Sequence, residues 1–196
     1  MTKQKYKLSY NSPVILTFAG ICLVFLIVDL ITGGWFHKMF LVCYGHPSLL
    51  DPLTYVRTLL YIFGHGSVQH FTNNMIMLLL VGPVVEEKYG SWNTAVMILV
   101  TGVASGILNS IFFSTGVIGA SGIVFLMIIL SAFTNMKRGE IPLSLILVSV
   151  IYLGQEVWNA IAVPNDGISQ FGHIMGGLFG LAFGIYYHFK KFNGNY

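Results

Sequence analysis

The sequence has very little charge. Only 9% of its 196 residues are Asp, Glu, Lys or Arg, whereas 55% are hydrophobic and the mean hydropathy is +0.76. A soluble domain carries about 25% charged residues, so this chain lacks the polar surface that a water-soluble fold requires. A lipid bilayer removes this difficulty, because a helix there can be apolar on every face. The formal net charge of +3 is too small to indicate a nucleic-acid-binding surface.

Cysteine is also scarce. Cys22 and Cys43 are the only two, and Cys22 lies inside an apolar run. Neither stands at a metal-ligand spacing, so the sequence excludes a disulfide framework and a cysteine-ligated metal centre. We interpret Cys22 as a small apolar residue of a helix and Cys43 as a thiol in a loop.

Long apolar runs are what the sequence has instead. Each is close to the ~20 residues that a bilayer-spanning helix needs. They cover approximately residues 13–33, 69–88, 93–113, 119–136, 142–162 and 169–189. The pattern predicts an all-α membrane protein of six transmembrane helices, with residues 1–196 forming one domain and no separate soluble domain. The first run is too long for the apolar region of a cleaved signal peptide and is predicted to be a retained signal anchor.

The one long connection is residues 34–68, between the first two predicted spans. Its polarity is mixed, and a structured loop of this length is usually functional, often as an interfacial element. We therefore predict a long membrane-associated first loop.

The basic residues predict the orientation. Lys38 and Arg57 would lie on one side of the membrane, and the other eight on the opposite side. Those eight are Lys3, Lys5, Lys7, Lys88, Lys137, Arg138, Lys190 and Lys191. By the positive-inside rule both termini are cytoplasmic and the 34–68 loop is extracytoplasmic.

Polar residues within the predicted spans indicate a functional site, because lipid makes them costly. They occur in three places: Gly119-Ala120-Ser121-Gly122 at the start of the fourth span, Gly172-His173 near the start of the sixth, and His65 with His70 and Asn74 at the entry to the second. A charged residue of the cytoplasmic side follows each of Ser121, His173 and His70 after 16 or 17 residues. In a helix this separation corresponds to ~24 Å. All three are therefore expected at one depth, in the extracytoplasmic half of a hydrocarbon core ~30 Å thick.

These residue types suit nucleophilic catalysis. Serine attacks an amide only when an adjacent base takes its proton, and imidazole is the usual base near neutral pH. The oxyanion that develops needs hydrogen-bond donors. His70 and Asn74 are four residues apart and share a helix face, so they could supply two side-chain donors.

A stripe of glycines follows the histidine of the last span, at Gly172, Gly176, Gly180 and Gly184. Such a stripe lets two membrane helices pack backbone to backbone. If the partner is the helix that begins near Ser121, then Ser121 and His173 come within hydrogen-bonding range. The sequence leaves the identity of the partner helix open.

Together these residues resemble the rhomboid family of intramembrane serine proteases over nearly the whole chain. The GxSG motif matches Gly119–Gly122, and the histidine followed by two glycines matches His173, Gly176 and Gly180. Matches elsewhere in the chain are His65, His70, Asn74, Glu86 and Gly90 for the second helix, and Arg57 for the first loop.

The resemblance implies a Ser121–His173 dyad without an acidic orienter. It also implies an oxyanion hole formed by His70, Asn74 and the Ser121 backbone N–H. It implies a six-helix bundle with a cavity open to the extracytoplasmic side, and substrate entry beside the fifth helix. The expected substrates are single- or multi-span membrane proteins cut near the outer face of a bacterial inner (plasma) membrane. No metal, organic cofactor or nucleic acid is expected.

Four positions depart from the family pattern. Phe125 replaces a tyrosine that stacks on the catalytic histidine, and Gly172 replaces the usual alanine before it. Val56 replaces a tryptophan beside Arg57, and Tyr61 replaces a further histidine. The first two changes should affect the chemistry little, whereas the last two concern the anchoring of the loop.

Two alternatives remain open. One is a catalytically inactive rhomboid-like protein that binds transmembrane clients, although such relatives usually lack the serine or the histidine. The other is a metal protein or transporter using His65, His70 and His173. Glu156 is the one carboxylate well inside a predicted span, and its orientation is left open. Asp29 is expected to reach towards the interface from a helix end.

Overall fold

The computed structural model describes residues 9–134, 136–138, 140–162 and 170–193. These residues form seven α-helices: α1 (Pro13–Ile31), α2 (Pro52–Leu60), α3 (Val68–Tyr89), α4 (Ser91–Phe112), α5 (Ser121–Ala132), α6 (Leu143–Ala162) and α7 (Gln170–Asn193). A π-helical turn at His37–Leu41 and a 3-10 turn at Tyr61–Phe63 lie between α1 and α3. No β-strand is present in these ranges, apart from a single bridge between Cys43 and Val117. The prediction of an all-helical fold is confirmed.

Among the described residues, three helices are long and apolar enough to cross a membrane, namely α1, α3 and α4. Shorter apolar helices are found at Ser121–Ala132 and Leu143–Asn159. Within the predicted span 119–136 the helix covers Ser121–Ala132; it begins only after Gly119, which has φ +131°, and it ends before the predicted boundary. A count of six membrane crossings stays a prediction.

Glu86 joins the beginning of α1 to the end of α3. Its two carboxylate oxygens accept hydrogen bonds from the backbone N–H groups of Val14 and Ile15, both at 3.0 Å, and one also accepts from the Ser91 hydroxyl at 2.6 Å. The first N–H groups of a helix have no partner within it, and the helix dipole favours an anion there. This buried carboxylate is therefore satisfied, and it makes α1 and α3 antiparallel neighbours.

Further contacts gather helix ends at this same end of the bundle. Lys88, near the end of α3, donates to the Thr134 carbonyl oxygen just after α5, at 2.6 Å. Tyr187, near the end of α7, donates to the Asn93 side chain near the start of α4, at 3.0 Å. The starts of α3, α5 and α7 consequently lie together at the opposite end of the bundle.

The glycine stripe of α7 packs on α5. A Cβ atom on Gly176 would collide with the Gly122 carbonyl oxygen, and one on Gly180 would lie 2.8 Å from the Ile129 Cβ. A Cβ on Gly122 would in turn lie 3.0 Å from the Gly172 carbonyl oxygen. The two backbones therefore touch along several turns, and the partner that the sequence left open is α5.

Asp29 does not reach towards the interface as expected. It is buried, and it accepts hydrogen bonds from the backbone N–H of His37 at 2.8 Å and from the His37 Nδ1 at 2.7 Å. The pairing arises because the chain turns back at Gly33 and Gly34, both with positive φ. Asp29 thereby ties the end of α1 to the π-helical turn.

The connection between α1 and α3 is held by polar contacts. Arg57 donates to the Met39 carbonyl oxygen at 2.9 Å and to the Asp51 carboxylate at 3.1 Å. Tyr61 donates its hydroxyl to the Gly102 carbonyl oxygen of α4 at 2.9 Å. Tyr61 therefore anchors this segment to the bundle.

Gly176→Ala should force α5 and α7 apart, because the added methyl group would overlap the Gly122 carbonyl oxygen. Overpacking of this kind costs roughly 1–3 kcal/mol. We expect a lower thermal unfolding midpoint in detergent. Gly154→Ala is the matched control, since a Cβ on Gly154 meets nothing within 4 Å. Equal midpoints for the two variants would contradict the close α5–α7 packing.

Candidate active site

Ser121 is the first residue of α5, directly after a turn that contains a glycine with positive φ. Gly119 has φ +131°, a conformation that glycine adopts readily and other residues do not. A Cβ atom there would lie 2.7 Å from the His70 Cε1 and 2.8 Å from the His70 Nε2. Glycine is therefore required both for the turn and for the close approach of the His70 imidazole to the backbone before Ser121.

The start of α5 presents backbone donors that have no partner within the helix. The first bond of the helix runs from the Val124 N–H to the Ala120 carbonyl oxygen, and no side chain caps the helix. The N–H groups of Ser121 and its next neighbours therefore lack partners within the helix. Such groups bind anionic oxygen well.

Asn74 adds a side-chain donor at the same place. It lies one turn after His70 on α3, is buried, and its Nδ2 is 3.9 Å from the position a Gly119 Cβ would occupy. Within the described ranges this amide nitrogen has no hydrogen-bond partner. A buried donor without a partner is costly, so the group is suited to a ligand oxygen.

His173 lies in the first turn of α7 and is held on two sides. Its Nδ1 is 2.9 Å from the Glu156 Oε2 of α6. Its ring stacks on Phe125, with centroids 4.5 Å apart and planes at 9°. Phe125 is one turn after Ser121 and shares its helix face. This face of α5 is therefore turned towards the imidazole.

The backbone contact between α5 and α7 brings the two predicted catalytic residues to adjacent positions. Gly122 follows Ser121, Gly172 precedes His173, and the two glycines are in contact. The His70 imidazole approaches the backbone at Gly119 from α3. The structure thus gathers residues of α3, α5 and α7 around Ser121.

His65 packs against His70 and Phe71. The His65 and His70 rings meet edge to face with centroids 5.0 Å apart. Burial, and secondarily the nearby His70, lowers the pKa of His65 to about 4, so it is neutral at pH 7. No three His, Cys, Asp or Glu residues within the described ranges are grouped so that they could hold a metal ion.

Three predicted supporting residues lie away from this cluster. Arg57 braces the segment between α1 and α3, Glu86 caps α1 at the other end of the bundle, and Gly180 packs against Ile129. Their contacts are those of structural residues.

A small cavity lies beside Ser121, and its polar lining from α4 was not predicted. Its volume is about 30 Å³, and its lining includes Tyr61, Ser121 and a polar face of α4. That face consists of the buried residues Thr101, Ser105 and Asn109. A water molecule needs about 10–15 Å³ measured in this way, so the cavity has room for one. The four-residue spacing of these polar residues in a predicted span is the signal that could have revealed it.

The sequence also failed to connect Glu156 with His173. It marked the carboxylate as unusual but could not orient it. The signal available was a single acidic residue in an apolar helix, a feature that usually has a buried partner.

Comparison with known proteins agrees with the resemblance seen in the motifs. The family model of the Rhomboid domain matches residues 52–190, more than two thirds of the chain. The chain is 29% identical over 168 residues to the rhomboid protease GluP of Bacillus subtilis, an alignment covering 82% of this chain and 32% of that protein. It is also 29% identical over 129 residues to the RHOMBOID-like protein 4 of Arabidopsis thaliana, covering 62% of this chain and 31% of the relative. The alignments thus span about a third of the length of these relatives.

Gly119→Ala tests the turn before Ser121. The new methyl group would overlap the His70 imidazole and strain the positive φ, at a cost on the order of 1–3 kcal/mol. We expect a lower thermal unfolding midpoint than for Gly66→Ala, where a Cβ meets nothing within 4 Å and φ is not positive. If both variants unfold at the wild-type temperature, the contact between Gly119 and His70 is wrong.

Proposed function

This chain belongs to the rhomboid family, and on that premise we propose that it is an intramembrane serine endopeptidase with a Ser121–His173 dyad. The observation that carries the proposal is the position of the imidazole. His173 is fixed by Glu156 on Nδ1 and by Phe125 on one ring face, beside the helix that begins at Ser121. Nε2 is therefore the ring nitrogen left to act as a base.

Acylation follows from this arrangement. Ser121 Oγ attacks the carbonyl carbon of the scissile peptide bond, and its proton passes to His173 Nε2. The carbonyl π electrons move to oxygen and form the tetrahedral intermediate. When the C–N bond breaks, the same proton moves from Nε2 to the departing amine. An ester between Ser121 and the acyl part of the substrate remains.

The oxyanion requires donors placed before the reaction begins. His70 and Asn74 approach Gly119 from α3, and the Ser121 N–H at the start of α5 has no partner within that helix. Three donors on two different helices thus point to the region where the negative oxygen would form. Donors fixed in this way stabilise the transition state without reorganisation.

Deacylation needs one water molecule. His173 takes a proton from the water as its oxygen attacks the ester carbonyl, and it returns that proton to Ser121 Oγ when the C–O bond breaks. The cavity beside Ser121 has room and polar lining for such a water. The products are a carboxylic acid and an amine, and the enzyme is regenerated.

The proposed setting is a membrane crossed six times, with both termini in the cytoplasm. In support, Lys88, Lys137 and Arg138 lie at the end of the bundle where α3 and α5 finish, whereas Ser121 and His173 start their helices at the opposite end. The positive-inside rule then directs the site to the extracytoplasmic side. The expected substrates are transmembrane segments of other membrane proteins, cut near the outer face. Lys3, Lys5 and Lys7, which also support this orientation, lie outside the described residues.

Ser121→Ala and His173→Ala should each abolish cleavage of a single-span test substrate in liposomes, because one removes the nucleophile and the other the base. A fluorophosphonate probe should label Ser121 in the wild-type protein, as detected by mass spectrometry. Normal cleavage by Ser121→Ala would rule out the serine mechanism. A wild-type protein that is folded but neither cleaves nor reacts with the probe would favour the inactive, client-binding alternative.

His70→Ala and Asn74→Ala should lower kcat by up to ~10²–10³ for each lost oxyanion donor. Asn73→Ala is the matched control, since Asn73 is exposed and contacts only Gln69 through its side chain among the bonds described. Steady-state kinetics with the same test substrate measure all three variants. An unchanged kcat for both His70→Ala and Asn74→Ala would refute the oxyanion assignment.

A further inference from the structure

We propose that Glu156 is a positioning residue that extends the dyad to a Ser121–His173–Glu156 triad. The inference rests on the proposed function, and it departs from the expectation that no acidic group orients the histidine. Glu156 would fix the tautomer of His173 and stabilise the imidazolium that forms during catalysis. It does not contact the substrate.

Glu156 and His173 form a buried, hydrogen-bonded pair. Glu156 Oε2 is 2.9 Å from His173 Nδ1, and the two side chains are only 10% and 13% exposed. A carboxylate is expensive inside an apolar helix unless it is paired and hydrogen-bonded. Within the described ranges, His173 is the only basic side chain within ion-pair distance of Glu156. The carboxylate and the base therefore satisfy each other.

The tautomer follows from hydrogen-bond chemistry. An ionised carboxylate can only accept, so Nδ1 must carry the hydrogen and donate it. The neutral imidazole then has its lone pair on Nε2, the nitrogen that must accept the Ser121 proton. In the absence of the carboxylate, the ring could protonate on Nε2 and would then be unable to act as a base.

Glu156 also contributes when the proton moves. Transfer from Ser121 Oγ to Nε2 turns the neutral ring into an imidazolium next to a negative carboxylate. The attraction between these charges lowers the energy of the intermediate, while the hydrogen on Nδ1 stays on the ring. The effect is larger in a site of low dielectric than in water.

The helix that carries Glu156 is packed so that the pair is held in place. Tyr152, one turn before Glu156, meets the Phe125 ring edge to face with centroids 5.8 Å apart. Leu153 fills the space beside Gly177, one turn after His173. One face of α6 therefore supports both the imidazole and the ring stacked on it.

A purely structural role would be a hydrogen bond that links α6 to α7. Glutamine serves such a link as well as glutamate, since its carbonyl oxygen also accepts. Only the positioning role in catalysis needs an acceptor that cannot donate and that carries negative charge. Glu156→Gln separates the two roles with little change in shape.

The experiment compares full-length wild-type protein with Glu156→Gln, in detergent and in liposomes. For Glu156→Gln we expect kcat and the rate of fluorophosphonate labelling of Ser121 to fall together by roughly 10- to 10⁴-fold. KM and the thermal unfolding midpoint should stay near the wild-type values. Gln155→Leu is the control, because Gln155 is the exposed neighbour on the same helix and should leave all four quantities unchanged.

A second measurement does not depend on activity. The ¹⁵N NMR spectrum of histidine-labelled protein should show His173 protonated on Nδ1 in the wild type and a shift towards the Nε2–H form in Glu156→Gln. Wild-type kinetics for Glu156→Gln, or an unchanged tautomer, would overturn the inference. Loss of activity accompanied by a lower midpoint and a higher KM would also overturn it, in favour of the structural link. If Ser121 of the wild type is not labelled at all, it is the protease assignment that fails, and the NMR result still decides the role of Glu156.

Discussion

The backbone contact between α5 and α7 is the constraint on which the site depends. Gly122 and Gly176 bring the two helices to a distance that a side chain at either position would prevent, and Gly122 there meets the backbone of Gly172. Since Ser121 and His173 adjoin these glycines in sequence, the contact sets their separation with few intervening rotatable bonds. Catalysis by positioned groups loses rate steeply with small misplacements. A site carried on touching helices is accordingly more rigid than one carried on loops.

The charged residues buried in this bundle follow one physical rule. Glu86 accepts backbone and hydroxyl hydrogen bonds at the start of α1, Asp29 accepts from His37, and Glu156 accepts from His173. An unpaired carboxylate in an apolar interior costs far more than a hydrogen bond returns. Two of these carboxylates join helix ends to neighbouring segments. Asp29 and Glu156 both bind an imidazole, which can itself change charge, but only the imidazole held by Glu156 stands beside the helix that begins at Ser121.

Much of the fold and of the site can be predicted from local patterns. Apolar runs predict helices because lipid leaves the backbone no other way to satisfy its hydrogen bonds. The four-residue glycine stripe predicts a close helix contact, and the pairing of His70 with Asn74 follows from helical periodicity. The exact start of α5 could not be predicted, because it depends on the positive φ of Gly119. Gly119 in turn lies against His70, a contact between separate helices that leaves no room for a side chain.

The sequence by itself determined the helical class, the apolar character and the residue types available for nucleophilic chemistry, since composition and periodicity are local properties. Only the tertiary structure decided which helix meets the glycine stripe, that Asp29 turns inward to His37, and that Glu156 pairs with His173. Each of these is a contact between separate elements. A lone carboxylate in an apolar helix indicates that it has a partner. Which residue is the partner depends on how the helices pack, and the sequence pattern does not contain that information.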